Sequence, residues 1–320
     1  MKTAYENLNG KIKIWRCYTY GTAVQVPERI EGCPVTELAP YAFSACMDEE
    51  KLRAGLEAGS IRLSEAGEEP VIRGMDLHSV HLPKTLEKIG AYAFYNCNAL
   101  EELTFFGGLK DLGAGLFTGC HSLKRLDLTL GEDRTSCLQE ILMEVPEKLT
   151  VQLHGKEEAC LIFPEFYEEG VENTPARILM TKMHGSGMNY RNCFYRRRFD
   201  FHAYDRCFYR AKAEEDFETV LSMAMGRLFD PWELAEEAKG EYQAYIREHL
   251  TEAVKKAASG HDIRLFTYLT ENFMLPAQNG RELVKKSIDL ASAAGFTEGT
   301  AYLMDVLHRN FQRPSSRFEL

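Results

Sequence analysis

The sequence predicts an α+β chain: a short solenoid of stacked parallel strands, followed by an all-helical, repeat-like half. Three observations lead there. A residue pattern recurs at a spacing of 23 between residues 86 and 128. Beyond residue 217 the apolar positions fall three and four apart, the period of a helix. A chain of 320 residues with 45% apolar and 27% charged side chains has the composition of folded globular protein, with room for about two domains.

The repeat is clearest when Leu86–Leu100 is set against Leu109–Leu123. Leu86/Leu109, Ile89/Leu112, Gly90/Gly113, Ala91/Ala114, Phe94/Phe117, Cys97/Cys120 and Leu100/Leu123 correspond, and the register runs on into Leu103/Leu126 and Phe105/Leu128. Leu38–Cys46 is an earlier copy, offset by two periods plus five residues. A coil with one strand and one return segment cannot bury its apolar side alone, so coils stack and equivalent residues form ladders. The predicted ladders are Phe43/Phe94/Phe117 and Cys46/Cys97/Cys120, with Gly90 and Gly113 at tight bends. Carrying the period outward predicts parallel strands near 79–82, 102–105, 125–128 and 148–151. In the last coil Glu140 and Met143 replace the Phe and Cys, as in a terminal cap.

Residues facing away from the core would form two columns, Ser79, Glu102, Arg125, Lys148 and His81, Thr104, Asp127, Thr150. They would line the concave face and are the candidate interaction surface.

Gly10–Ile14, then Val24-Gln25-Val26-Pro27-Glu28-Arg29-Ile30-Glu31-Gly32-Cys33-Pro34-Val35, then Tyr41-Ala42-Phe43, resembles the opening of BspA-like leucine-rich repeat proteins of gut and oral bacteria. So does Leu82–Gly90 followed by Tyr92-Ala93-Phe94. The resemblance covers about residues 8–153. It implies a leucine-rich-repeat solenoid and an interaction surface, with no shared catalytic residues. Many such relatives are secreted. Here Met1–Asn7 has no apolar stretch of the secretory type, so a cytoplasmic chain is expected. No apolar run nears the ~18 residues that cross a bilayer, so no membrane partner is expected.

The domain reading is a leucine-rich repeat domain over 1–153 with an insertion at 47–78, a connector at 154–187, a helical domain at 188–312 and a tail at 313–320. Within the insertion, 48–56 reads as a helix with Leu52 and Leu56 inward, stopped by Gly59. Ile61–Ser64 and Pro70–Arg73 read as short strands. The connector carries an acidic segment from Pro164 to Pro175, and His184–Gly187 reads as a turn.

In the second half, Phe217–Leu228 is one helical stripe and Asp230-Pro231-Trp232-Glu233 reads as N-cap, first-turn proline and N3 carboxylate of the next. Tyr242–Val254, Ile263–Leu269, Leu283–Ala291 and Tyr302–Leu307 continue the pattern. The pairs weakly resemble ankyrin or other α-solenoid units. Between 188 and 212, Arg191, Arg196, Arg197, Arg198, Arg206 and Arg210 alternate with aromatic residues and form a candidate anion-binding set. The other reading of that stretch is a buried stripe of Phe201, Tyr204 and Phe208 with the arginines covering rings and acidic neighbours.

The net charge of -10 resides in residues 1–180, with 18 basic and 28 acidic residues, which disfavours nucleic acid as partner of that half. The nine cysteines form no CxxC pair and read as reduced thiols. There is no nucleotide loop, HExxH motif or zinc spacing, so no cofactor and no metal is expected. The function expected is a non-catalytic protein-interaction scaffold of unknown partner. Nucleic-acid binding through 188–212 is the alternative, and an enzyme comes third.

Overall fold

The computed structural model describes residues 1–173 and 178–311. The described residues form two compact units, one within 1–220 with 230–234 and one of 221–229 with 235–311. The division falls inside the helix Phe217–Phe229, not at 187, so residues 154–187 and 188–214 are built into the first unit. The 313–320 tail and Pro175 lie outside the described residues.

In the first unit Ser79–His81, Glu102–Phe106, Arg125–Thr129 and Leu149–His154 run parallel in sequence order, near the four positions the period predicts. Ala23–Gln25 adds a fifth parallel strand beside Ser79–His81, and Glu158–Phe163 closes the far end antiparallel. Strand alternation puts Val80, Leu103, Phe105, Leu126, Leu128, Val151 and Leu153 in the core. Leu126 pairs with Val151 and Leu128 with Leu153, a step of 25, so the extrapolation of 23 into the last coil is two residues short. The last return segment takes the extra length by forming a helix, Leu138–Glu144, whose Leu138, Ile141 and Leu142 are buried.

The phenylalanine ladder is present. Phe43, Phe94 and Phe117 stack with ring centroids 5.3 and 5.4 Å apart and nearly parallel planes. The thiols of Cys97 and Cys120 donate to the carbonyls of Phe43 and Phe94, one coil back, at 3.5 and 3.0 Å. Cys46 does not join them: it is exposed, because the chain departs there toward the insertion. Nor do Gly90 and Gly113 mark bends of positive φ. A Cβ at Gly90 would fall on the main chain of Ala39 and Pro40, and one at Gly113 on that of Gly90 and Ala91, so these glycines let adjacent coils touch. The left-handed turn is instead the column Tyr41, Tyr92 and Gly115, with φ of 58°, 58° and 65°.

A second sheet backs the first coils. Lys2–Leu8 and Lys11–Tyr18 form a hairpin through left-handed Asn9 and Gly10, the two positive φ values that a tight two-residue turn demands. Ile61–Leu63 pairs on one side of it and Cys33–Leu38 on the other. The insertion helix spans Glu49–Glu57 with Asp48 as N-cap, and Leu52 packs with Trp15, Met47 and Ile61. The strand expected at 70–73 reduces to a single bridge between Val71 and Tyr18. The expected connector is largely strand: after Glu158–Phe163, Tyr167–Asn173 pairs antiparallel with Ile178–His184.

The second unit is helical, with Glu236–Glu248, Leu250–Ser259, Ile263–Leu269, Gly280–Ala293 and Thr297–Phe311. Tyr242, Ile246, Phe266, Val284 and Leu303 form its core. The helix start expected at Asp230–Glu233 is not there. Those residues belong to the first unit, Glu233 has φ of 48° and pairs with Arg134 at 2.6 Å, and the helix begins at Glu236.

Candidate interaction face

The outward rows of the ladder follow from its register. One reads Ala23, Ser79, Glu102, Arg125, Thr150, and the next Gln25, His81, Thr104, Asp127, Gln152. Adjacent members stand one strand spacing apart, about 4.8 Å. Six of the eight predicted column residues, Ser79, His81, Glu102, Thr104, Arg125 and Asp127, occupy the predicted rows. The other two are displaced by the longer last coil. Thr150 stands beside Arg125 instead of Asp127, and Lys148 precedes the strand altogether. Lys148 turns to Thr219, 3.2 Å away, at the edge of a cavity of about 450 Å³ whose walls include Glu165, Tyr167, His184 and Asp216.

The residues that sequence spacing misses cluster at the end of the rows. His154 holds Asp127 through Nε2 at 3.2 Å and Glu158 through Nδ1 at 2.8 Å. Gln152 donates to Glu158 and to Asp230, both at 3.2 Å. Partial burial lowers the His154 pKa, but the hydrogen bonds and charges of Glu158 and Asp127 outweigh it and the net shift is upward. At the other end, His81 meets the ring of Phe106 edge-on at 5.9 Å. A signal for this cluster exists in the sequence, because His154 extends the alternation of Leu149, Val151 and Leu153. It becomes readable only with the 25-residue step. Among the described residues no group of three His, Cys, Asp or Glu side chains is placed to hold a metal ion.

The basic-aromatic stretch has another task. Phe201, Tyr204 and Phe208 are buried, as the stripe reading holds. The Tyr204 hydroxyl donates to Ile162 O at 2.7 Å and accepts from Ile162 N at 2.9 Å, which completes the edge of the last strand. Arg191 is fully buried and donates to the carbonyls of Leu142, Val145, Glu147, Pro164 and Gly187. Burial pushes its pKa down to about 10 against the pull of Glu147 and Glu215. An arginine so engaged has no donor left for an external anion, which removes it from the anion-binding set. Arg197 pairs with Glu140 at 2.9 Å and Arg210 with Glu214 at 3.6 Å. Arg196 lies over the Tyr195 ring. Arg206 is exposed at the end of its helix and Arg198 on the short strand Arg198–Phe199. The six predicted anion-binding arginines therefore do not converge on one free site, and nucleic-acid binding is not supported.

Residues 71–141 match the family described as BspA type leucine rich repeat region (6 copies). Among solved structures, a leucine-rich repeat protein from Bacteroides ovatus ATCC 8483 is 17% identical, over 48% of this chain and 36% of that one, with a TM-score of 0.30. The T. pallidum leucine rich repeat protein TpLRR is 19% identical, over 48% of this chain and 80% of that one, with a TM-score of 0.20. The chain thus spans about a third of the length of the Bacteroides ovatus protein. No curated protein matches. Among the described residues no helix is long and apolar enough to cross a membrane.

Proposed function

We propose that this chain, whose residues 71–141 match BspA-type leucine-rich repeats, is a non-catalytic protein-interaction scaffold. The outward face of its strand ladder is the surface that meets the partner. The observation that carries the reading is the pair of continuous polar rows, Ser79–Glu102–Arg125–Thr150 and His81–Thr104–Asp127–Gln152, held at fixed spacing by the buried Val80, Leu103, Phe105, Leu126, Leu128, Val151 and Leu153 of the same strands. Rows of mixed charge on a rigid sheet favour recognition by complementarity, in which the placement of charge sets specificity more than raw affinity.

The test compares capture from lysate of the source cells by three purified chains: the wild type, an Arg125→Glu/Asp127→Lys variant of the ladder face, and a Lys88→Glu/Asp111→Lys variant of the second sheet, which Lys88–Ile89 and Asp111–Leu112 extend in parallel beyond Cys33–Leu38. The reading expects at least one polypeptide held by the wild type and the Lys88/Asp111 variant and lost from the Arg125/Asp127 variant. Equal capture by all three, or loss only with the Lys88/Asp111 variant, refutes it.

A further inference from the structure

The helical unit holds a cavity of its own, of about 400 Å³, a size within the roughly 300–1,000 Å³ of small-ligand pockets. Four parts of the unit meet at it: the last turn of Glu236–Glu248, the first turn of Leu250–Ser259, the segment 272–279, and Gly280–Ala293. Its apolar wall is Phe273, 6% exposed, with the half-buried Leu250 and Leu283. Phe273 lies in a π turn, Thr270–Met274, in which the Leu275 N–H donates to the Thr270 carbonyl at 2.9 Å. Turns of this kind are rare and concentrate at functional sites.

The polar wall sets two opposite charges side by side. Arg247 and Glu248 are consecutive and exposed, and both line the cavity. The Arg247 guanidinium carbon lies 5.9 Å from the centre of the Phe273 ring, and Gln243 takes one of its five N–H donors at 3.2 Å. Thr251, on the same lining, accepts from Lys286 Nζ at 3.1 Å and has its own O–H to give. Arg247 and Thr251 are thus donors for a carboxylate, with the Lys286 charge behind Thr251, and Glu248 is an acceptor for an ammonium. An apolar acid without an amine would set its charge against Glu248, and an apolar amine without an acid would set its charge against Arg247. A molecule with both charges on one carbon, and an apolar side chain on the same carbon, suits every wall.

We propose that this cavity binds a free α-amino acid with an apolar side chain of leucine or phenylalanine size. The carboxylate meets Arg247 and Thr251, the ammonium meets Glu248, and the side chain packs on Phe273, Leu250 and Leu283. The site does not depend on the ladder face, whose residues belong to the other unit.

The test titrates the intact chain with L-leucine and L-phenylalanine up to millimolar concentration by calorimetry. Each is set beside its amide, which lacks the carboxylate, and its deaminated acid, which lacks the ammonium, and glycine serves as the ligand without a side chain. The expected result is saturable binding of at least one of the two amino acids, weakened about tenfold or more in its amide, in its deaminated acid and in glycine, since each lost charge-assisted hydrogen bond or apolar contact is worth such a factor. Arg247→Met keeps an apolar stem over Phe273 and should erase the preference for the amino acid over its amide. Glu248→Gln should erase the preference over the deaminated acid. No saturable binding of either amino acid, equal affinity for amino acid, amide and deaminated acid, or an unchanged preference in Arg247→Met overturns the proposal. The wild-type series decides by itself if a variant fails to fold.

Discussion

At the residue scale, stacking decides which side chains are replaceable. Phe94 has a ring on each face, whereas Phe43 and Phe117 have one ladder neighbour each. Phe94→Ala should cost about 3–5 kcal/mol in urea unfolding, more than Phe117→Ala. Gly113→Ala should be at least as damaging, although alanine is small, because its Cβ collides with main chain that cannot move aside. These positions are legible in the sequence because a ladder needs the same residue in every coil. The reason for the glycines is not, since close approach of two backbones and a bend leave the same mark. His154 sets a pH dependence. Its folded pKa lies above its unfolded value of about 6.5, so its pairing stabilises fully below that pH and is lost as pH rises through the folded value. The melting temperature of His154→Gln, subtracted from that of the wild type, should leave a difference that shrinks from pH 6 to about pH 9. A difference that grows with pH contradicts this account of Asp127 and Glu158.

At the element scale, the return arcs form a second ladder of hydrogen bonds with a direction. N–H groups of one coil donate to carbonyls of the next, Tyr41 to Ala91, Phe43 to Ala93, Tyr92 to Ala114 and Phe94 to Leu116. The first arc therefore has carbonyls to spare and the last has N–H groups to spare. Buried Arg16 takes the carbonyls of Tyr41, Ala42 and Ser44, and Glu49 balances its charge at 2.8 Å. At the other end the Glu144 carboxylate accepts from the N–H groups of Gly115 and Phe117, both at 3.2 Å. A cation at the carbonyl end and an anion at the amide end satisfy groups that would otherwise be orphaned. Arg191 does the same for the carbonyls that follow the last return helix. Arg191→Met should cost about 3 kcal/mol or more, since several buried carbonyls lose their donor, and Arg191→Lys should not restore it, because one ammonium cannot reproduce the guanidinium fork. Chemical denaturation of the two variants measures both. None of this is visible in the sequence, where Arg191 is one of six arginines in a basic run and only the fold shows that it faces inward.

At the scale of the whole molecule, the chain pairs a solenoid that presents side chains with a helical unit of separate core. The alternation of strands and the change to helical period are readable because burial imposes them residue by residue. The last coil's extra two residues and the N-terminal hairpin are not, because each depends on how distant segments meet. The scaffold reading rests on the ladder's outer face, and carboxylate footprinting tests it most directly. With a captured partner bound, labelling of Glu102, Asp127 and Glu158 should fall several-fold while Glu87, paired with Lys11 of the second sheet, and Asp111, in that sheet's last strand, keep their rates. Protection of Glu87 and Asp111 with Glu102, Asp127 and Glu158 still labelled would contradict the account.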